Sequence, residues 1–271
     1  MMCECVIKDE RLFCILGNDD RSKYIRSMYK EEGKNIVSYE KANIIIGPTP
    51  FSKDDVKVNG ESLKCDDLIN ILSNTEKVLY AGSISKKMKY RLKKAKVNFF
   101  DLLDEKNVAI LNAIPTAEGA ISTAIQMTDF TIHGANCLVL GYGKIGKILC
   151  KMLNGIGANV YCEARKKEDL AFIEAMGYNS ISLESLDDYL NRMDVIFNTI
   201  PSMILDEHRL QCLKKECAII DLASSPGGVD FSKAKEFKLN TVWALALPTK
   251  FAPFTAAVYL KNTVDELLEK G

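Results

Sequence analysis

Two doubly wound α/β domains with parallel sheets, joined by a long helix, are what this 271-residue chain predicts. Three observations carry that expectation. Short apolar runs alternate with amphipathic stretches over short connections. The alternation is interrupted by one long apolar-faced helix and then restarts. The restart opens on a glycine-rich loop that turns straight from a strand into a helix.

Taken in order, "LFCIL" from residue 12 reads as a strand, "RSKYIRSMYKEEG" as a helix and "NIIIG" as a strand. "DDLINILSN" follows as a helix, "KVLYAG" as a strand, "SKKMKYRLKKAK" as a helix and "VNFFD" as a strand. Residues 1–115 are expected to form the first, flavodoxin-like domain, carrying the substrate and the catalytic groups. Residues 116–131, with "AISTAIQMTDF", form the connecting helix; Thr116 is positioned to cap its start and Glu118 to lie in its first turn, where the helix dipole favours a carboxylate. Residues 132–248 form the second, Rossmann domain, with strands at "CLVLG", "NVYCE", "VIFNTI", "CAIIDLA" and "TVWALA" and helices at "KIGKILCKMLNGI" and "KKEDLAFIEAMG". Residues 249–271 end in the helix "TAAVYLKNTVDELLEK", expected to pack back on the first domain.

The restart loop reads Gly141-Tyr142-Gly143-Lys144-Ile145-Gly146. A G-x-G-x-x-G between a strand and a helix is the Rossmann dinucleotide fingerprint. Its first glycine permits the tight turn, its second lets backbone N–H groups approach the pyrophosphate, and its third lets helix and strand pack closely. The helix start supplies unpaired N–H groups and partial positive charge. Gly141, Gly143, Lys144, Ile145 and Gly146 are therefore expected to hold a dinucleotide, with Thr199 and Pro201 of "NTIPS" beside it.

The second strand of such a domain usually ends in an acid that binds the ribose diol of NAD, about 20 residues after the loop. Counted from Gly146, that place falls on Ala164, followed by Arg165, Lys166 and Lys167. A small residue followed by cations suits a 2′-phosphate, so NADP is expected, gripped by Arg165 and Lys166. A register one residue shorter would instead make Glu163 an acid of the NAD type.

Four strand ends carry small polar residues, glycine or proline: "AGSIS", "NAIPTAEG", "NTIPS" and "DLASSPGG". Ligands of open α/β sheets lie beyond such ends. Ser83, Ser85, Ser202 and Ser224, with Arg21 in the loop "GNDDR" and Lys250, are the candidate hydrogen-bond donors to a substrate. No catalytic base stands out; Thr116, Glu118 and His133 are weak candidates, and His208 reads as a surface residue. Zinc and acyl-serine chemistry have no motif here, and no metal site is expected.

Thirty-six basic residues balance thirty-six acidic ones, which gives no electrostatic reason to expect nucleic acid or an anionic membrane surface. The start, "MMCECVIKDER", does not read as a signal peptide, and no apolar run approaches the length of a membrane span; a cytoplasmic protein is expected. Nine cysteines, an odd number without a C-x-x-C, are expected to be reduced: Cys3, Cys5, Cys14, Cys65, Cys137, Cys150, Cys162, Cys212 and Cys217.

The segments "AIPTAEGAISTAIQMTDFTIHG", "GYGKIG", "NTIPSMIL" and "DLASSPGGVDF" together resemble the dipicolinate synthase A-subunit family, most strongly over residues 110–232. The resemblance implies a two-domain NAD(P)-binding protein built like the 2-hydroxy-acid dehydrogenases. It implies oxidation of dihydrodipicolinate to dipicolinate, an offshoot of lysine biosynthesis, in the mother cell of a sporulating bacterium. It also implies a partner, the flavoprotein-like B-subunit of the same enzyme. A homo-oligomer is expected. Ser225 stands where the family pattern has a cation before Pro-Gly-Gly, and Thr249 and Phe254 stand where it has glycine and lysine. Two alternatives stand beside this reading. One is a non-catalytic nucleotide-binding protein that positions or regulates the B-subunit; the other is a reductase of another small carboxylic acid.

Overall fold

The computed structural model describes residues 11–270. Cys3 and Cys5 lie outside the described residues. The other seven cysteines are free thiols; six are buried and Cys212 is half-buried.

The chain divides into two compact units: the residues up to Ala109 together with those from Pro253 onward, and Ile110–Ala252. In the first unit, β1 (Leu12–Ile15), α1 (Asp20–Glu31), β2 (Asn35–Ile36), β3 (Ile44–Ile46), α2 (Cys65–Leu72), β4 (Val78–Ala81), α3 (Lys86–Lys94) and β5 (Asn98–Asp101) follow one another. The division falls within α4 (Lys106–Leu111). The five strands form one parallel sheet in the order β2-β1-β3-β4-β5, the flavodoxin-like arrangement, whose direction of growth switches between β1 and β3. The short strand β2 leaves no mark in the apolar pattern, because it carries only Asn35 and Ile36.

Side chains alternate across this sheet as a strand requires. Phe13, Ile15, Ile44, Ile46 and Tyr80 face one apolar cluster, while Cys14, Ile45, Leu79 and Ala81 face the other. Both faces are thus buried, which explains why the strands read as continuous apolar runs. Helix α1 begins where Asp19 accepts the Ser22 N–H (2.8 Å), and α3 begins where Ser85 accepts the Met88 N–H (3.0 Å).

The second unit contains α5 (Ala113–Met127), β6 (Asn136–Leu140), α6 (Lys144–Gly155), β7 (Asn159–Glu163), α7 (Lys167–Ala175), β8 (Asn179–Ile181), α8 (Asp187–Leu190), β9 (Val195–Asn198), α9 (Glu207–Gln211), β10 (Ala218–Asp221), α10 (Phe231–Glu236), β11 (Asn240–Trp243) and α11 (Leu247–Phe251). The last helix, α12 (Pro253–Lys270), belongs to the first unit and packs on α1, where Tyr29 donates to Asp265 (2.8 Å). The six strands of the second sheet are parallel in the order β11-β10-β9-β6-β7-β8. Numbered from β6, this is the doubly wound order 3-2-1-4-5-6 read from its other edge, with the switch between β6 and β9. Cys137 and Val139 face one core cluster and Leu138 and Leu140 the other.

Three expectations change. "NAIPTAEG" does not follow a strand; it is helical, between α4 and the first turns of α5. Thr116 is therefore not a cap. It sits inside α5 and its hydroxyl donates to the Asn112 carbonyl four residues back (2.8 Å). The apolar alanines place the helix start earlier than the polar Thr-Ala-Glu suggested: Ala113, Ala117, Ala120 and Ala124 are all buried. Finally, Lys106–Met127 is a 22-residue helical stretch holding an 18-residue window of mean hydropathy 1.3, long and apolar enough to cross a membrane by length and composition. Its apolar character is shared between two helices that meet at Asn112, and the small-residue face of α5 packs into the core against α6 and α11.

Candidate functional site: a dinucleotide cradle at a switch point

Strands β6 and β9 are neighbours at the switch point of the second sheet, so the loops after them leave in opposite directions and open a crevice. Gly141 follows β6 with φ +94°, a conformation that favours glycine. A Cβ there would also meet Thr199 Oγ1 at 2.7 Å and Ile200 Cγ1 at 2.9 Å, so the two loops need this hydrogen to sit side by side. A Cβ on Gly146 would collide with the Gly141 carbonyl oxygen, which makes the third glycine the one that lets α6 press against the loop. Gly143 differs from both. It caps α6 with an extended backbone and no side-chain cap, and a Cβ on it would meet nothing within 4 Å. The first N–H groups of α6, including those of Lys144, Ile145 and Gly146, thus have no capping side chain, and free space lies before them.

A cavity of about 300 Å³ occupies this position. Gly141, Tyr142, Gly143, Glu163, Ala164, Arg165, Lys166, Asp169, Thr199, Ile200 and Pro201 line it. The structure brings six of the expected cofactor residues to its wall: Gly141, Gly143, Arg165, Lys166, Thr199 and Pro201. Lys144, Ile145 and Gly146 are not in the wall and form the first turn of α6. The Thr199 hydroxyl is spent on the Leu140 carbonyl (2.9 Å) and fastens the β9 loop to β6. Sequence reasoning missed Tyr142, Asp169 and Ile200; their side chains carry no motif and reach the wall only through the crossing of the two loops.

Strand β7 ends on Glu163, one residue before the position to which the count from Gly146 led. Its side chain is 1% exposed, and neither carboxylate oxygen has a hydrogen-bond partner. Burial pushes its pKa above the ordinary carboxylate range, and the nearby Gly141 N–H and the charges of Arg165 and Arg209 offset this only in part. An orphaned buried carboxylate at the rim of a nucleotide-sized cavity fits the two hydroxyls of a ribose, which would supply the missing donors. The residues present therefore fit a nicotinamide dinucleotide.

Beyond β9 and β10 a second polar system is fully buried. Asn198 and Asp221 are each 0% exposed. Asn198 Nδ2 donates to Asp221 Oδ1 (2.8 Å) and to the Ile200 carbonyl (3.0 Å), and Asn198 Oδ1 accepts the Ile200 N–H (3.1 Å). Asp221 also accepts the N–H groups of Ala223 (3.0 Å) and Gly228 (2.8 Å). This pair pins "NTIPS" to "ASSPGG" and brings exposed Ser202 and Ser224 to adjacent strand ends. Nothing in the sequence marks either residue as part of such a pin.

Other expected site residues lie elsewhere. His133 is exposed and precedes β6, with its ring against Gly157. The five residues of β6 separate it from the glycine loop, roughly 17 Å of strand, so it is at the wrong end of the sheet for the cofactor. Glu118 is exposed on α5, and Lys250 is exposed in the last turn of α11. Ser85 is committed to capping α3 and to Asp55 (2.6 Å). Ser83 is exposed beyond β4 at φ +53°, its N–H held by Asp101 (2.9 Å). Arg21 is not on an exposed loop; it is 5% exposed in the first turn of α1. A larger hollow of about 590 Å³ runs along the free edge of β5. It lies at a sheet edge, and its Lys89 is already paired with Asp101 and Asp104, both at 2.7 Å.

The sequence profile of the "D-isomer specific 2-hydroxyacid dehydrogenase, NAD binding domain" family matches residues 106–227. A solved structure of the dipicolinate synthase A-subunit from Bacillus halodurans superimposes with a TM-score of 0.88 at 30% identity, covering 95% of this chain and 97% of that one. The chain belongs to the dipicolinate synthase A-subunit family. The A chain of dipicolinate synthase from Bacillus subtilis gives a TM-score of 0.86 at 29% identity, with 96% of each chain covered. The curated dipicolinate synthase A-subunit of Bacillus subtilis (strain 168) is 38% identical over 191 residues, which are 70% of this chain and 64% of that protein, just under two thirds. The family and the matched domain are those of NAD(P)-dependent oxidoreductases, in keeping with the cradle.

Proposed function

We propose that this protein oxidises dihydrodipicolinate to dipicolinate with a nicotinamide dinucleotide held in the Gly141–Gly146 cradle. The observation that carries the reading is the cradle itself, joined to membership of this family. The dinucleotide, when bound, supplies the hydride acceptor. With it bound, oxidation would remove a hydride and a proton from dihydrodipicolinate, the hydride to the nucleotide and the proton to solvent, and would leave the ring aromatic. Aromatisation provides the driving force, so the chain's part is to bind, orient and exclude water rather than to supply a strong base. That agrees with the placement of Thr116, Glu118 and His133, none of which lines the cradle.

Glu163 supports NAD as the nucleotide. Its buried oxygens lack donors that a ribose diol has, and a 2′-phosphate would set like charges side by side. A second reading, NADP, rests on Arg165 and Lys166, which line the same cavity. If NADP is the partner, Arg165→Ala weakens NADP about tenfold or more and leaves NAD unchanged. The cytoplasm of a sporulating cell, a flavoprotein-like B-subunit and self-association belong to this proposal by family likeness.

The test is turnover by the purified chain with freshly made dihydrodipicolinate and either nucleotide, with and without its B-subunit. Growth of reduced-nucleotide absorbance with the chain alone is the expected result. Nucleotide binding with no turnover under any of these conditions would point to a non-catalytic role. Turnover of another small acid in its place would point to a different reductase.

A further inference from the structure

The first sheet also has a switch point, between β1 and β3, and the loops that leave it there bring together two groups whose hydrogen bonding is incomplete. After β1 comes Arg21, with a side chain 6% exposed. After β3 comes Thr49. The Arg21 guanidinium donates to the Thr49 carbonyl, and its one carboxylate neighbour, Asp19, stands 3.9 Å away. Asp19 is itself occupied as the cap of α1. A guanidinium has five N–H donors, and no other acceptor meets those of Arg21 among the described residues. Burial pulls its pKa below the ordinary arginine value, and Asp19 only partly restores it. The Thr49 hydroxyl is buried and has no partner. It lies against Gly82, the residue after β4, where any Cβ would collide with it.

A buried cation with spare donors, a buried hydroxyl without a partner, and the N-terminus of a twelve-residue helix meet at the carboxyl ends of strands on either side of a switch point. Each group by itself has a structural role. Together they leave positive charge and hydrogen-bond donors uncompensated in one place, the condition a bound anion relieves. Arg21 also cannot be replaced by its helix neighbours in this role, because Lys23 is spent on Asp20 (2.8 Å) and Arg26 on the carbonyls of Ile15 (2.7 Å) and Gly17 (3.2 Å).

We infer that the β1–β3 switch point of the first unit is a carboxylate-binding site, in which Arg21 grips one carboxylate of the substrate and Thr49 donates its hydroxyl to the same group. The inference rests on the reading of this chain as an enzyme of a small carboxylic acid, and it names the anchor for that acid. A planar carboxylate matches the fork of the guanidinium.

The experiment is calorimetric titration of the full chain with dipicolinate, malonate and inorganic phosphate. It compares the wild type with Arg21→Met, Arg21→Lys and Thr49→Val, with melting temperature and nucleotide affinity as controls for folding. Dipicolinate and malonate are expected to bind the wild type. Arg21→Met should weaken both about tenfold or more, Arg21→Lys less, and Thr49→Val a few-fold, all without a change in nucleotide affinity. A folded Arg21→Met chain that binds both dicarboxylates like the wild type overturns the site. If Arg21→Met does not fold, the near-isosteric Thr49→Val decides, and unchanged affinity overturns it. Absence of any Arg21-dependent carboxylate binding, or phosphate binding more tightly than both carboxylates, overturns it as well. Malonate binding that depends on Arg21 while dipicolinate does not bind upholds the site and removes the proposed substrate. Turnover of dihydrodipicolinate that is indifferent to Arg21 does the reverse.

Discussion

Replacing Glu163 with glutamine changes one atom at the rim of the cradle, where the proposed reading puts the nucleotide's ribose. Both oxygens of the native carboxylate are buried and lack donors, so a bound ribose diol would give them two charge-assisted hydrogen bonds. Such bonds contribute about 1.5–3 kcal/mol each, against about 0.5–1.5 for neutral ones. Losing the charge at both bonds while keeping the shape should therefore cost NAD about 2–3 kcal/mol, or about 30- to 150-fold in Kd. For NADP the sign reverses. A phosphate charge about 4 Å from an ionised carboxylate costs about 4 kcal/mol at an effective dielectric of 20. Arg165 and Lys166 at the same cavity offset part of that repulsion. Relief of even a third of it returns about tenfold in NADP affinity. The ratio of the two affinities should thus move by about 300- to 1,500-fold towards NADP. Fluorescence titration with both nucleotides measures it. Equal weakening of both nucleotides, or no change in the ratio, would show that Glu163 does not read the ribose.

The same residue gives a pH signature. Burial raises the native pKa of Glu163 above its ordinary 4.5, so the folded state holds the proton more tightly than the unfolded chain. Its contribution is most favourable below that value and is lost as pH rises through the native one; Glu163→Gln should lose less stability than the wild type on going from about pH 4 to pH 8. Parallel urea-melt stabilities across that range would contradict this. Gly143→Val should leave the melting temperature nearly unchanged, because its Cβ meets nothing within 4 Å. It should still weaken either nucleotide more than about a hundredfold by filling the space before the α6 N–H groups, each worth about 1.5–3 kcal/mol to a phosphate. Asn198→Ala removes the buried partner of Asp221 and should destabilise the fold by about 2–3 kcal/mol in a denaturant melt. It should also weaken nucleotide binding by freeing the loop that carries Thr199 and Pro201; wild-type values for both would refute the role of the pin.

Local order was legible wherever physics acts over a few residues. The strands "LFCIL", "CLVLG" and "VIFNTI" are apolar throughout because both faces of each sheet are covered, and the glycines of "GYGKIG" are spaced by what a strand–loop–helix turn around a pyrophosphate needs. The cradle was readable for that reason. What only the tertiary structure decided are the relations set by distant segments. The order of the strands put Thr199 beside Gly141 and Thr49 beside Arg21, across separations that no local pattern encodes. The end of β7 fell on Glu163, one residue before the counted position, and buried its carboxylate next to Ala164, which is buried as well. The start of α5 moved ahead of Thr116 because packing of Ala113, Ala117 and Ala120 outweighed the capping preference of one threonine. The buried states of Arg21, Asn198 and Asp221 escaped the sequence for one reason. Polar residues read as surface until the partners that desolvate them arrive from other strands.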